Sequence, residues 1–285
     1  MMCSLKILVA ILLLVIPYPQ LQSATFPIPV DLELALLVDA SSSMDKEEQA
    51  LQRLGYIRAI RHPEIVKVIR EGPIGRIALT YVEFYGAKDQ RIIVPWTIVE
   101  DDESAGEVAG YLSEAGLEKG PFTSISAGME MVGGQMLTNE FEGTKLVVDV
   151  SGDGPNNAGK PVAAVRDALV ALGIGINGLP IMLRPEAVPY EEFARLDEYY
   201  KDCIIGGPGA FIMPITATDQ FIPAIRNKLA LEIGSAPTRS RYAESGARVV
   251  LVGTLQHTKQ VSRSDCLVGE TLHKEFLDRF WAEDE

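Results

Sequence analysis

Histidine and cysteine are scarce in this chain, three of each, and His62, His257 and His273 do not stand at metal-ligand spacing. Zinc chemistry is thereby set aside, because such sites need three or four convergent His, Cys or carboxylate ligands. Basic clusters are also missing. Against 39 acidic residues stand 26 Lys and Arg, giving a formal net charge of −13, and no dense basic run interrupts that background. Nucleic acids and anionic membranes both require a basic footprint, so neither is expected as a partner. An acidic surface suits cations, basic partners or plain solubility.

A membrane-spanning run is lacking too. The uncharged stretch Ile7 to Ile16 falls well short of the roughly 20 apolar residues that cross a bilayer. With Lys6 before it and Pro17, Pro19 and the small pair Ser23-Ala24 after it, residues 1–24 read as the three regions of a secretory signal peptide. The expectation is a periplasmic or secreted protein whose mature chain makes no stable membrane insertion. Loss of Lys6 with that segment takes the net charge to −14 and leaves Cys203 and Cys266 as the remaining cysteines. Either they are bridged, in a compartment that permits it, or they are two buried thiols; counting does not choose. A bridge would tie the C-terminal tail to the main domain and, over a loop of roughly 60 residues, would stabilise by about 4 kcal/mol in the chain-entropy model.

What the sequence does have is the stretch Leu34 to Ser43, L-A-L-L-V-D-A-S-S-S. An apolar run that stops abruptly in an acid and hydroxyls is how a buried parallel strand delivers polar groups to its carboxyl end, where open α/β sheets bind ligands. Asp39, Ser41 and Ser43 alternate, and all three offer oxygen, which suits a hard divalent cation. An N-cap for the following helix is the plainer alternative for any one of them. Lys145 to Val150 repeats the design, ending in Asp149, Ser151, Gly152, Asp153 and Gly154. If the two strands are parallel neighbours, Asp39 and Asp153 approach each other at one sheet edge and favour a cation between them. Thr123, in the glycine- and hydroxyl-rich loop Gly120 to Ser126, is a further oxygen donor and also a good N-cap.

Around these points the chain alternates strand and helix. An amphipathic helix is expected over Met44–Arg61 with Leu51, Leu54, Ile57 and Ile60 on one face, and a short helix follows Pro63. Arg76–Phe84 and Arg91–Val99 form a hairpin whose second strand, holding Pro95, belongs at an edge. Helices over Asp101–Gly116, up to Leu137 and over Pro161–Leu172 alternate with a strand at Gly173–Ile181, followed by a Glu- and Tyr-rich helix at Pro189–Lys201. A short strand Phe211–Ile215 and a helix capped by Thr218 or Asp219 complete the domain. This order predicts an α/β doubly wound, mostly parallel central sheet with helices on both faces and one antiparallel edge strand, over residues 25–235. Residues 236–285 form a C-terminal extension, with a strand at Arg248–Leu255 and a helix at Glu270–Ala282, read as an added layer or as a partner segment.

Asp39-Ala-Ser41-Ser-Ser43, the separate Thr123 and the later Asp153-Gly154 together resemble the von Willebrand factor A (VWA) domain pattern. V-D-V-S-G-D-G-P-N-N and I-G-G-P-G-A-F are similar to an uncharacterised group of exported bacterial proteins of that fold. The resemblance covers Val30 to Gly234 and implies a metal-ion-dependent adhesion site. Ser41, Ser43 and Thr123 would contribute hydroxyl oxygens, and Asp39 and Asp153 would act largely through waters. The cation would be Mg2+, with Mn2+ or Ca2+ as alternatives, and an acidic side chain of a partner protein would complete it. Asp149, Asn156 and Asn157 are candidates for hydrogen bonding around the site, or for ordinary loop stabilisation. The function implied is a non-enzymatic protein-binding module. The alternative is a metal-dependent hydrolase of phosphate esters, with Asp39 as nucleophile or ligand, although no general base or phosphate-binding Lys/Arg motif stands beside the site.

Overall fold

The computed structural model describes residues 26–183, 195–234, 250–251 and 264–282. The signal-like segment and the first part of the helix expected at Pro189–Lys201 lie outside them. In chain order come β1 (Ile28–Val30), β2 (Glu33–Asp39), α1 (Lys46–Ile60), α2 (Pro63–Arg70), β3 (Ile77–Phe84) and β4 (Gln90–Val99). Next are α3 (Asp102–Glu114), α4 (Ile125–Met136), β5 (Phe141–Gly143), β6 (Leu146–Gly152), α5 (Val162–Ala171) and β7 (Ile174–Pro180). The short α6 (Leu196–Tyr199) runs into a π turn, Tyr200–Ile204, and is followed by β8 (Phe211–Ile212), α7 (Phe221–Ile233), β9 (Val250–Leu251) and α8 (Val268–Ala282).

The main sheet has the order β4-β3-β2-β6-β7-β8-β9. Its inner neighbours are parallel, while β4 pairs antiparallel with β3 and β9 antiparallel with β8. The expected doubly wound α/β architecture is therefore present, with an antiparallel pair at both edges rather than one. The second edge comes from β9, inside the C-terminal extension. Pro95 sits in the outer strand β4, where its missing N–H costs no ladder bond, and the pairing with β3 shifts register beside it. The pair β1 and β5, too short to be read from periodicity, forms a separate two-stranded parallel ribbon.

Every residue of β2 and β3 is buried, because helices cover both faces. Leu34, Leu36 and Val38 enter one core, which also holds side chains of α1, α2, α3 and α7. Ala35 and Leu37 enter the other, with residues of α4, α5, α6 and the π turn. By the same alternation Asp39 lies on the second side.

The buried face of α1 is only partly the one expected. Ile60 is buried and Leu51 and Ile57 pack partly buried against the core, but Leu54 is exposed, whereas Gln49, Gln52, Arg53, Tyr56 and Ala59 are buried. Polar groups on the sheet beneath hold the helix in this rotation: Gln52 Nε2 donates to Ser151 Oγ at 2.8 Å, and Arg53 pairs with Glu83 inside the protein. Once these buried groups are satisfied, turning Leu54 inward would strand them.

Candidate metal centre

β2 and β6 are parallel neighbours with Val38 opposite Ser151, so the loops that follow them leave the same edge side by side. Asp39 is buried at the end of β2, and its Oδ1 accepts the Ser41 N–H at 2.7 Å, a tight turn that folds the serines back over the strand end. The Ser41 and Ser43 hydroxyls are 2.8 Å apart, and Ser43 Oγ donates to Asp153 Oδ1 at 2.6 Å. Four of the five expected ligands thus form one continuous polar chain across the sheet edge. It is closed at Asp39, 1% exposed, and open at Ser43.

Thr123 joins through its backbone. The Ser42 N–H donates to Gly120 O and the Gly120 N–H to Ala40 O, which sews the 120s loop to the serine turn. The Thr123 N–H donates to Asn157 Oδ1 at 2.7 Å and Thr123 O accepts the Asn157 N–H at 2.8 Å, which sews it to the loop of Asp153. Thr123 is not the N-cap of α4. Ser124 occupies that position and makes no side-chain cap bond. The helix end is served from across the site, where Asn156 Oδ1 accepts the Ser126 N–H at 2.9 Å. Asn156 and Asn157 therefore hold the threonine loop by hydrogen bonds.

Asp149 does not join this group. It faces the opposite side of β6, where its Oδ1 lies 2.5 Å from Lys228 Nζ, and Lys228 also pairs with Glu232. Asp45 caps α1, with Glu48 completing a capping box.

Burial, and then the nearby Asp153 carboxylate, push the Asp39 pKa up to about 8, against hydrogen bonds from Ser41 and the Asp153 backbone. Asp39 Oδ2 is buried and without a hydrogen-bond partner among the described residues. Two carboxylates, one of them with an unsatisfied buried oxygen, and the Ser41 and Ser43 hydroxyls make a donor set that fits a hard divalent cation. Among the described residues no group of three or more His, Cys, Asp or Glu gathers anywhere, this site with its two carboxylates included.

The family model described as "Protein of unknown function (DUF1194)" matches residues 29–237. The chain belongs to this family. Comparison with the curated proteins finds no match. Among solved structures, the DUF1194 chain is similar to the pilus adhesin SpaC from Lactobacillus rhamnosus GG in its open conformation, with 14% identity, TM-score 0.53, and 74% of this chain and 30% of that one covered. Proximal thread matrix protein 1 from the mussel byssus, in a form described as having a zinc-occupied MIDAS motif, matches at 16% identity, TM-score 0.49 and 73% and 48% coverage. The von Willebrand factor type A protein from Catenulispora acidiphila matches at 12% identity, TM-score 0.49 and 72% and 43% coverage. This chain spans about half or less of the length of each. With the sheet order above, the DUF1194 domain has a doubly wound α/β fold similar to that found in the SpaC chain.

Proposed function

We propose that this DUF1194 protein is an exported, non-enzymatic binding module that holds a divalent cation, Mg2+ by preference, through Asp39, Ser41, Ser43, Thr123 and Asp153, and uses it to capture an acidic side chain of a partner protein. The observation that carries the reading is Asp39 Oδ2, a buried, unpartnered carboxylate oxygen at the closed end of the Ser41–Ser43–Asp153 chain. A buried carboxylate oxygen left without a partner is strongly disfavoured. A cation or its bound water is the partner that suits oxygen donors.

When bound, the cation supplies a Lewis-acidic position for an external carboxylate, and the neutral hydroxyls around it leave much of its charge unquenched. The rest is done by the chain. Asp39 orients the serine turn, Asp153 draws Ser43 across the sheet edge, and Asn157 fixes the loop of Thr123. The adhesin among the structural neighbours is consistent with a protein-interaction role.

Calorimetric titration of the metal-stripped protein with Mg2+ and Mn2+ tests this. Saturable one-site binding is expected, lost in Asp39→Ala. A folded wild-type protein that takes up neither ion, even with acetate added as a stand-in for the partner's carboxylate, overturns the reading.

A further inference from the structure

Tyr200 lies outside the pattern of Asp, Ser and Thr, yet its hydroxyl reaches the floor of the same site. It opens the π turn after α6, is fully buried, and belongs to the core on the Asp39 side of the sheet. Two strand glycines make room for it. A Cβ on Gly178 would stand 2.7 Å from Tyr200 Cδ1, so the ring lies against the bare backbone of β7. A Cβ on Gly152 would stand 3.0 Å from the Tyr200 hydroxyl oxygen and 2.7 Å from Asp39 Oδ2. Both oxygens therefore converge over the same bare spot of β6, with at most about 6 Å between them.

Neither oxygen has a hydrogen-bond partner among the described residues. Packing alone does not account for a phenol here, because phenylalanine would fill the same space without stranding a hydroxyl.

We propose that Tyr200 is a positioning residue of the cation site: its hydroxyl donates toward Asp39 Oδ2, or toward a cation-bound water resting on that oxygen, and so fixes the orientation of the Asp39 carboxylate. This rests on the cation-site reading above. A group hydrogen-bonded to a ligand in this way commonly sets metal affinity by about 10- to 100-fold.

The test compares full-length wild-type, Tyr200→Phe and Tyr81→Phe, the last removing an equally buried hydroxyl in the opposite core. Mn2+ affinity is read by calorimetry and by the Mn2+-induced rise in Tm, and the Tm of each metal-free protein is recorded alongside. For Tyr200→Phe the expected result is at least about tenfold weaker Mn2+ binding and a smaller Mn2+-induced rise, with the metal-free Tm unchanged or raised. Tyr81→Phe should keep wild-type Mn2+ affinity. A structural role alone would lower the metal-free Tm and leave affinity unchanged, which overturns the proposal. So does wild-type affinity in Tyr200→Phe with an unchanged Tm. Failure of the wild-type protein to bind Mn2+ brings down both readings, whereas binding by wild-type and Tyr200→Phe alike brings down only this one.

Discussion

Gly152 shows how far the site depends on a side chain that is not there. It ends β6 beside Asp39, and a methyl group at its Cβ position would press on Asp39 Oδ2 at 2.7 Å and the Tyr200 hydroxyl at 3.0 Å. Neither neighbour is a free surface tip, since both are buried. Gly152→Ala is therefore expected to cost roughly 1–3 kcal/mol in urea unfolding, the usual range for an overpacked interior, and to weaken cation binding with it. Unchanged unfolding would mean that Asp39 and Tyr200 have slack this arrangement denies. The proposed ligands Asp39, Ser41, Ser43 and Asp153 could be singled out in the sequence because acids and hydroxyls end buried strands abruptly, at positions where an apolar residue would continue them. Tyr200 was not legible. It stood in a stretch read only as a Glu- and Tyr-rich helix, and only the pairing of Val150 with Gly178 across β6 and β7 reveals two bare backbone positions lying beneath one ring.

Elements were legible where a period was long and clean, and less so where buried polar groups set the orientation. β2, β3, β6 and β7 followed from their apolar runs, but α1, besides the expected Leu51, Ile57 and Ile60, turned Gln52 and Arg53 inward toward Ser151 and Glu83 and left Leu54 exposed. α7 follows the same logic on a larger scale. Its Lys228 and Glu232 are buried against Asp149 of β6, Asn177 Nδ2 of β7 donates to Glu232 Oε1 at 2.9 Å, and Lys145 Nζ reaches Glu232 O at 3.1 Å. Burial, followed by the Asp149 charge, pushes the Glu232 pKa up to about 7, while Lys228 and Asn177 oppose the rise. Burial raises Asp149 as well. An acid whose folded pKa lies above its unfolded value contributes stability that is full below the unfolded pKa and is lost as pH rises through the folded one. The stability Glu232 contributes should thus be full below its ordinary value of 4.5, fall as pH rises from there, and be lost once pH has passed about 7. Glu232→Gln removes that term, so the fall in urea midpoint between pH 5 and pH 8 should be shallower than in wild-type. Asp149 leaves part of the slope in place, and identical slopes would show that Glu232 does not carry the proton.

The whole molecule is held together at the end the sequence left undecided. The extension, read either as an added layer or as a partner segment, docks α8 against the loops around the candidate site. Asn156 Nδ2 donates to Glu270 Oε1 at 2.7 Å, the backbone at Gly269 passes directly over the Asn156 carbonyl, and His273 meets the Phe122 ring edge-on at 5.1 Å. Val268 packs onto the core on the Tyr200 side, and the Ser264 N–H donates to Asp202 Oδ2. Between these contacts a disulfide joins Cys203, on the turn that Tyr200 opens, to Cys266 across a separation of 63 residues. No periodicity could have shown this, because the partners meet through tertiary structure and each contact is a single residue. α8 leaves Phe276 and Leu277 exposed, and the disulfide adds a covalent link to these contacts. The covalent link is what makes docking persistent, since it removes loop-closure entropy from the undocked chain, an effect worth roughly 2–4 kcal/mol for a native bridge. Cys266→Ser should therefore lower urea stability by about that amount. Amide hydrogen exchange should rise first in α8 and in the Asn156 loop, while β2 and β3, buried on both faces, stay protected. If α8 kept its protection in Cys266→Ser, the non-covalent contacts would be sufficient by themselves. If protection were lost evenly through β2 and β3, the extension would instead be an integral part of the domain's cooperative unit.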